Sequence, residues 1–262
     1  MANQGYAEFT ILKDKAEVEA RKAIDLDPSS ADAHAALAVT LQYLDQFKES
    51  VAEAEKAIKL NPNAAEAYFA LGFTHCTEGR VEQSLSYFRK SLELDPLSVQ
   101  KARVLAIALG IVGKGEEART MLGKMLRIYP ENPTVFLCMA ESYIFDKDYA
   151  KAQEFLDRGQ RLNPVEPLLL INQGLVYAFT GRPEQARGML RKLESLQRET
   201  PLTYSQIFIH TALGEIDEAF TALNKASETH VWPFTIKTHP LFAELRKDPR
   251  FSDFCGKMGI PN

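Results

Sequence analysis

The chain has 262 residues, of which 45% are hydrophobic, and a formal net charge of −4 at pH 7. Acidic and basic residues are mixed along it, which argues against a basic face for nucleic acid or for an anionic membrane surface. The first ten residues lack the basic start and apolar core of a signal peptide, and no run approaches the roughly 20 apolar residues that span a bilayer. The three cysteines are odd in number and far apart, which favours reduced thiols over disulfides or a metal site. These features predict a soluble cytoplasmic protein without a nucleic-acid or membrane partner.

The start of the chain is predicted to be the second half of a helical pair. Ala16, Ala20 and Ala23 have helical spacing, and only about ten residues precede them. A stack of helical pairs normally carries a polar cap at each end. We therefore expect an incomplete first repeat, and self-association or docking through this uncapped end.

A ladder of prolines sets the organisation of the next part of the chain. Pro28, Pro62, Pro96, Pro130 and Pro164 stand 34 residues apart. A fixed period of this length is typical of stacked helical hairpins. Each proline is expected to end the second helix of one hairpin, because proline cannot continue a helix.

One period, residues 65–96, shows how each hairpin is built. Residues three or four positions apart form one helical stripe before Gly79 and a second stripe after it. The first stripe contains Tyr68, Leu71, Gly72 and His75, and the second contains Ser84, Phe88 and Ser91. Gly79 is expected to end the first helix in a left-handed conformation.

Small residues recur where the two helices of a hairpin cross. In the second helices these are Ala16, Ser50, Ser84, Ala118, Ala152 and Ala186. A bulky side chain at such a position would force the helices apart. The recurrence therefore predicts close helix crossings.

After Pro164 the register changes by one residue. Gly181 and Gly214 are 33 residues apart, and a seventh unit is predicted from Thr200 to Thr229. The hairpins would form a solenoid over residues 1–230. Residues 231–262 are expected to add a linker and two short capping helices to the same domain. Thr238 and Asp248 are the predicted caps, each shortly before a proline.

These residues resemble the tetratricopeptide repeat, whose pattern is an aromatic, Leu-Gly, an aromatic, a small residue, a bulky residue and a closing proline. Residues 65–96 match it with Tyr68, Leu71-Gly72, His75, Ser84, Phe88 and Pro96. The resemblance covers about residues 13–228. It implies an all-α, right-handed superhelical solenoid of antiparallel helix pairs, with about seven repeats. First helices would line a concave groove.

The tail is similar to the carboxy-terminal repeat regions of bacterial multidomain regulators. The residues that carry this likeness are Leu241-Phe242, Leu245-Arg246, Asp248-Pro249-Arg250-Phe251 and Met258-Gly259. In such proteins these regions follow nucleotide cyclase, kinase or winged-helix domains. This likeness implies a regulatory domain of a larger bacterial protein.

The residues predicted to line the groove are mostly apolar, although solvent-facing helix surfaces are normally polar. They are Tyr43, Phe69, Phe73, Arg103, Ile107, Leu137, Glu141, Ile171, Leu175, Tyr204 and Phe208. One interpretation is that an apolar peptide or helix binds there, oriented by Arg103 and Glu141. The other is that these residues pack against the next repeat, or that the segment around Trp232 fills the groove.

The sequence offers no candidate catalytic residue, metal site or cofactor motif. The glycines around Lys114 lack the preceding strand and the following Ser or Thr of a phosphate-binding loop. The predicted function is therefore a non-enzymatic protein-interaction scaffold. The alternative is a regulatory or self-associating C-terminal domain of a larger bacterial signalling protein, such as a nucleotide cyclase, a kinase or a transcriptional regulator.

Overall fold

The computed structural model describes residues 4–196, 202–229 and 231–260, and these contain helices and no strand. The helices are α1 (Gln4–Leu26), α2 (Ala31–Tyr43), α3 (Phe47–Leu60), α4 (Ala65–Thr77), α5 (Val81–Leu94), α6 (Val99–Ile111), α7 (Gly115–Ile128), α8 (Pro133–Phe145), α9 (Tyr149–Leu162), α10 (Pro167–Phe179), α11 (Pro183–Leu196), α12 (Leu202–Leu213), α13 (Ile216–Thr229) and α14 (Arg250–Lys257). Helices α2 to α13 form consecutive antiparallel pairs, and each pair packs on the next. The chain is a helical solenoid.

The proline ladder marks the ends of the second helices, as predicted. Five of these helices, α1, α3, α5, α7 and α9, end two residues before a proline of the ladder.

No helix within the described ranges is long and apolar enough to cross a membrane.

The turn within each pair contains one residue in the left-handed conformation. These residues are Asp45 (φ 57°), Gly79 (91°), Gly113 (73°), Lys147 (60°), Gly181 (73°) and Gly214 (75°). In the second pair, the Arg80 N–H donates to the carbonyl of His75 across this turn at 2.8 Å. The prediction for Gly79 is confirmed. Asp45 and Lys147 adopt the same conformation with a Cβ atom, which is sterically unfavourable.

Small residues allow the two helices of a pair to approach closely. Ser50, Ser84, Ala118, Ala152 and Ala186 are completely buried at the equivalent crossings. A Cβ added at Gly72 would lie 2.6 Å from Cδ1 of Phe88. The predicted close crossings are therefore present.

Helix α1 is only partly covered by the rest of the stack. The expected small positions of α1, Ala16 and Ala23, are exposed, although their equivalents in later pairs are covered by a first helix. Val18 and Leu26 are also exposed, by 49% and 88%. The described end of the stack therefore leaves part of α1 uncovered.

The C-terminal cap, residues 240–260, closes the other end. It consists of two 3₁₀ turns, Pro240–Phe242 and Leu245–Lys247, followed by α14. Phe242 and Phe254 are buried in one cluster with Phe220 and Leu223 of α13.

The caps of these short elements differ in part from the prediction. His239, and not Thr238, caps the first turn, because its Nδ1 accepts from the Leu241 N–H at 3.1 Å. Asp248 does accept from the Arg250 N–H, at 3.0 Å. The predicted start of the seventh unit, Thr200, lies outside the described residues.

Candidate functional site

A short segment without regular helix crosses the groove that the first helices line. We call this segment, residues 231–239, the strap. Its Phe234 ring stacks on Phe73 of α4 with a centroid distance of 4.5 Å. Its His239 ring lies 4.7 Å from the Phe145 ring of α8 and 6.3 Å from the Phe208 ring of α12. Because one short segment reaches helices that are four pairs apart, the stack must curve around it.

Trp232 of the strap connects the two ends of the stack. Its ring packs edge-on against Phe47 of α3 at 6.4 Å and against Phe254 of α14 at 6.0 Å. The indole Nε1 donates to the carboxylate of Asp45 at 3.4 Å. This is the left-handed residue of the first hairpin turn, so its side chain has a contact that a glycine could not make.

Polar groups hold the second half of the strap. Lys237 donates to the carbonyl of Glu78 at 3.4 Å. Thr238 hydrogen-bonds the thiol of Cys76, whose pKa is raised to about 12 by burial. Arg246 of the cap donates to the strap carbonyls of Ile236 at 3.1 Å and His239 at 2.9 Å. The strap is thus attached both to the repeats and to the cap.

A buried ion pair lies at the centre of the groove. Arg103 binds both carboxylate oxygens of Glu141, at 2.6 and 3.0 Å, and Asn172 donates to the same carboxylate at 3.4 Å. Burial acts to lower the pKa of Arg103, but the attraction and hydrogen bonds of Glu141 outweigh it, so the pKa is raised. The two groups neutralise each other, and the centre of the groove carries no net charge from them.

Two titratable rings lie beside this pair in their neutral forms. Burial raises the pKa of Tyr204 to about 12; Arg103 opposes the rise and Glu141 adds to it. Burial, helped by the charge of Arg246, lowers the pKa of His239 to about 3. Because Nδ1 of His239 accepts from a backbone N–H, the proton of the neutral ring lies on Nε2.

The strap leaves space in the groove on both of its sides. A cavity of about 40 Å³ lies under it, with Arg103, Tyr204 and His239 in its wall. A larger space of about 220 Å³ lies between Trp232, Phe234 and the side chains of Tyr43 and Val104. The groove is therefore wider than the strap requires.

The residues predicted to line the groove have several different environments. Phe69 and Leu137 lie in the core, 5% and 1% exposed, because first helices also pack against their neighbours. The expectation that these two residues form a free surface is therefore wrong. Ile107, Ile171, Leu175, Tyr204 and Phe208 line the smaller cavity with Arg103 and Glu141, and Phe73 contacts the strap. Tyr43 is 43% exposed at the edge of the larger space.

Several residues of the site were absent from the predicted groove. Asp45, Phe47 and His239 all contact or belong to the strap. Asp45 carried a usable signal, because it occupies a turn position where four of the equivalent residues are glycine. The others have no such signal, because their contacts join distant parts of the chain.

Family profiles match most of the solenoid. Four profiles described as Tetratricopeptide repeat match residues 31–64, 65–98, 112–170 and 167–192. Together they cover more than half of the chain. No curated protein matches it in sequence.

Solved structures share the fold at low sequence identity. A tetratricopeptide repeat protein from Parabacteroides merdae matches with a TM-score of 0.64 and 16% identity, covering 94% of this chain and 100% of that one. A chain of the APC/C hetero-tetramer Cut9-Hcn1 matches with a TM-score of 0.59 and 17% identity, covering 96% of this chain and 51% of that one. Pseudomonas aeruginosa pilF matches with a TM-score of 0.53 and 18% identity, covering 84% and 98%. At these identities the likeness concerns the fold alone.

Proposed function

Because the chain belongs to the tetratricopeptide repeat family, we propose that it is a protein-interaction scaffold that binds a partner segment in the groove lined by its first helices. The family's fold supports a scaffold role. The observation that carries the choice of surface is that the groove already holds a polypeptide segment, the strap. The proposal assigns no catalytic step to the chain.

The groove favours an apolar partner segment. Its wall consists largely of apolar and aromatic side chains, such as Ile107, Leu175 and Phe208. Its central charges, Arg103 and Glu141, are already paired, so a charged partner residue would have to break a buried ion pair. Selection would therefore depend on shape and aromatic contacts more than on net charge.

The partner would first meet the groove beside Tyr43. This ring is 43% exposed and borders the space of about 220 Å³ next to Trp232.

The three cysteines are buried and unpaired, which supports a reducing compartment such as the bacterial cytoplasm as the place of binding.

Site-specific photocrosslinking in cells tests this proposal. A photoreactive phenylalanine analogue replaces Tyr43 in one variant, and in a matched control it replaces Leu162, which is 48% exposed at the end of α9. We expect discrete crosslinked products at position 43 whose peptides contain aromatic residues. Products that are the same at both positions, or no product at position 43, would contradict the proposal.

Self-association is a second candidate, favoured by the uncovered face of α1. Ala16 and Ala23 are exposed there, although their equivalents in later repeats are buried packing residues. In a larger signalling protein the same face would contact the neighbouring domain. Sedimentation velocity of the wild type and of Ala16→Lys tests this candidate, because a concentration-dependent dimer that Ala16→Lys removes would support it. A monomer at all concentrations would exclude it.

A further inference from the structure

We propose that the strap is a built-in competitor for the groove, and that the segment it excludes has the strap's own chemistry: aromatic side chains on both sides of a proline. This inference rests on the function proposed above, because it concerns the same groove. In the strap these residues are Trp232, Pro233 and Phe234. A partner segment would have to displace them before it could bind.

The strap is bound in a way that permits exchange. Among the described residues, its backbone hydrogen bonds are local: Val231 donates to Ala226, Ile236 to Pro233, and Thr238 and His239 to Thr235. Its contacts with the repeats come from side chains, and two of these hydrogen bonds, from Trp232 to Asp45 and from Lys237 to the carbonyl of Glu78, are long, at 3.4 Å each. Removing the strap from the groove therefore breaks no continuous series of backbone hydrogen bonds.

The strap also fits the groove incompletely. The space of about 220 Å³ borders Trp232 and Phe234, the two aromatic residues that enter the groove first. Well-packed protein cores leave few voids larger than a water molecule. A longer or bulkier segment would fill this space and gain contacts that the strap does not make, and this gain would drive the exchange.

Displacement would also release the link between the ends of the stack. Trp232 joins Phe47 of the first complete pair to Phe254 of the cap. When the strap leaves, this link is lost and the curvature of the stack is less constrained. The groove is then free to widen around a partner.

The test uses a fluorescently labelled synthetic peptide with the strap's own sequence, VWPFTIKTHP, added to the whole protein. Its binding is measured by fluorescence anisotropy to the wild type and to a variant with both Trp232→Ala and Phe234→Ala. The variant should bind the peptide at least tenfold more tightly, because its own strap no longer competes well. A peptide with alanine at both aromatic positions is the matched control and should not bind.

The outcomes separate the two proposals. If the wild type and the folded variant bind the peptide equally, the groove binds segments but the strap is not a competitor, and only the present inference fails. If a variant with a wild-type circular dichroism spectrum does not bind the peptide, the proposed groove function fails as well.

A second variant covers the case in which the first does not fold. Thr238→Cys places a thiol against Cys76, since the Thr238 hydroxyl already bonds that sulfur. Oxidation would lock the strap in the groove, and peptide binding should then be at least tenfold weaker than after reduction. Equal binding in the oxidised and reduced states would overturn the inference.

Discussion

Mild acid should loosen the strap, because His239 is held in its neutral form. The docked ring has a pKa of about 3, and burial is the main cause. A released strap would return His239 to its ordinary pKa, roughly 6.5. Lowering the pH from 7.5 to 5 therefore protonates His239 in a released strap and leaves it neutral in a docked one.

The charged groups around His239 favour its neutral form or leave it unaffected. Arg246 donates to its carbonyl and adds a positive charge beside the ring. The Arg103–Glu141 pair lies in the wall of the same cavity and is neutral as a unit. Its ring also contacts the uncharged rings of Phe145, Phe208 and Phe242.

The sign and size of the effect follow from linkage. A base whose pKa is lowered on docking binds fewer protons in the docked state, so docking is unaffected above about pH 6.5 and weakens as the pH falls below it. The loss approaches about 1.4 kcal/mol per pH unit until the docked ring itself titrates near pH 3. At pH 5 docking should be weaker by about 2 kcal/mol, or about 30-fold.

The assay uses Trp232, which is the only tryptophan of the chain and lies in the strap. Urea unfolding followed by its fluorescence gives the free energy of unfolding around the strap at pH 7.5 and pH 5. In the control His239→Asn, the amide oxygen can accept from the Leu241 N–H as Nδ1 does, but the side chain does not titrate. The wild type should lose about 2 kcal/mol more than the control; equal losses would refute the reasoning.

One pair of glycines and one pair of turn residues give further tests. Gly72→Ala should lower the free energy of unfolding by about 1–3 kcal/mol, because the new Cβ would lie 2.6 Å from the Phe88 ring. The control Gly123→Ala should raise the free energy of unfolding by about 1 kcal/mol, because its Cβ has no other atom within 4 Å and alanine is the better helix former. Thermal melting measures both, and a Gly72→Ala protein as stable as the wild type would contradict the close crossing. Asp45→Gly and Lys147→Gly should each relieve about 1 kcal/mol of left-handed strain. Only Asp45→Gly removes the bond to the strap's tryptophan, so it alone should shift the tryptophan emission to the red; equal emission in the two variants would argue against this contact.

The regular part of the fold could be predicted because its signals are local. The proline ladder falls two residues after the helix ends, and Gly79 has the left-handed conformation that its place in the turn predicts. These features depend on residues a few positions apart, whose effects on the backbone are set by steric restriction.

The groove was predicted less well, because its residues are defined by contacts between distant parts of the chain. Phe69 and Leu137 were assigned to a surface by treating each first helix as packed on one face, but such a helix also packs against neighbouring repeats. The contact of Trp232 with Asp45 cannot be predicted from any repeat or residue spacing in the sequence. The alternative that the strap fills the groove could be stated from the sequence, but only the three-dimensional contacts favour it over an open groove.

Disulfide trapping shows whether the strap occupies the groove in solution. In Thr238→Cys, mild oxidation is followed by mass spectrometry to identify which native cysteine the new thiol joins. Cys76 is the expected partner, because it is far away in sequence but its sulfur is hydrogen-bonded to the Thr238 hydroxyl in the structure. A strap free of the groove would not hold the new thiol beside Cys76. Oxidation that joins position 238 to Cys76 supports occupation of the groove, and oxidation that forms no such disulfide contradicts it.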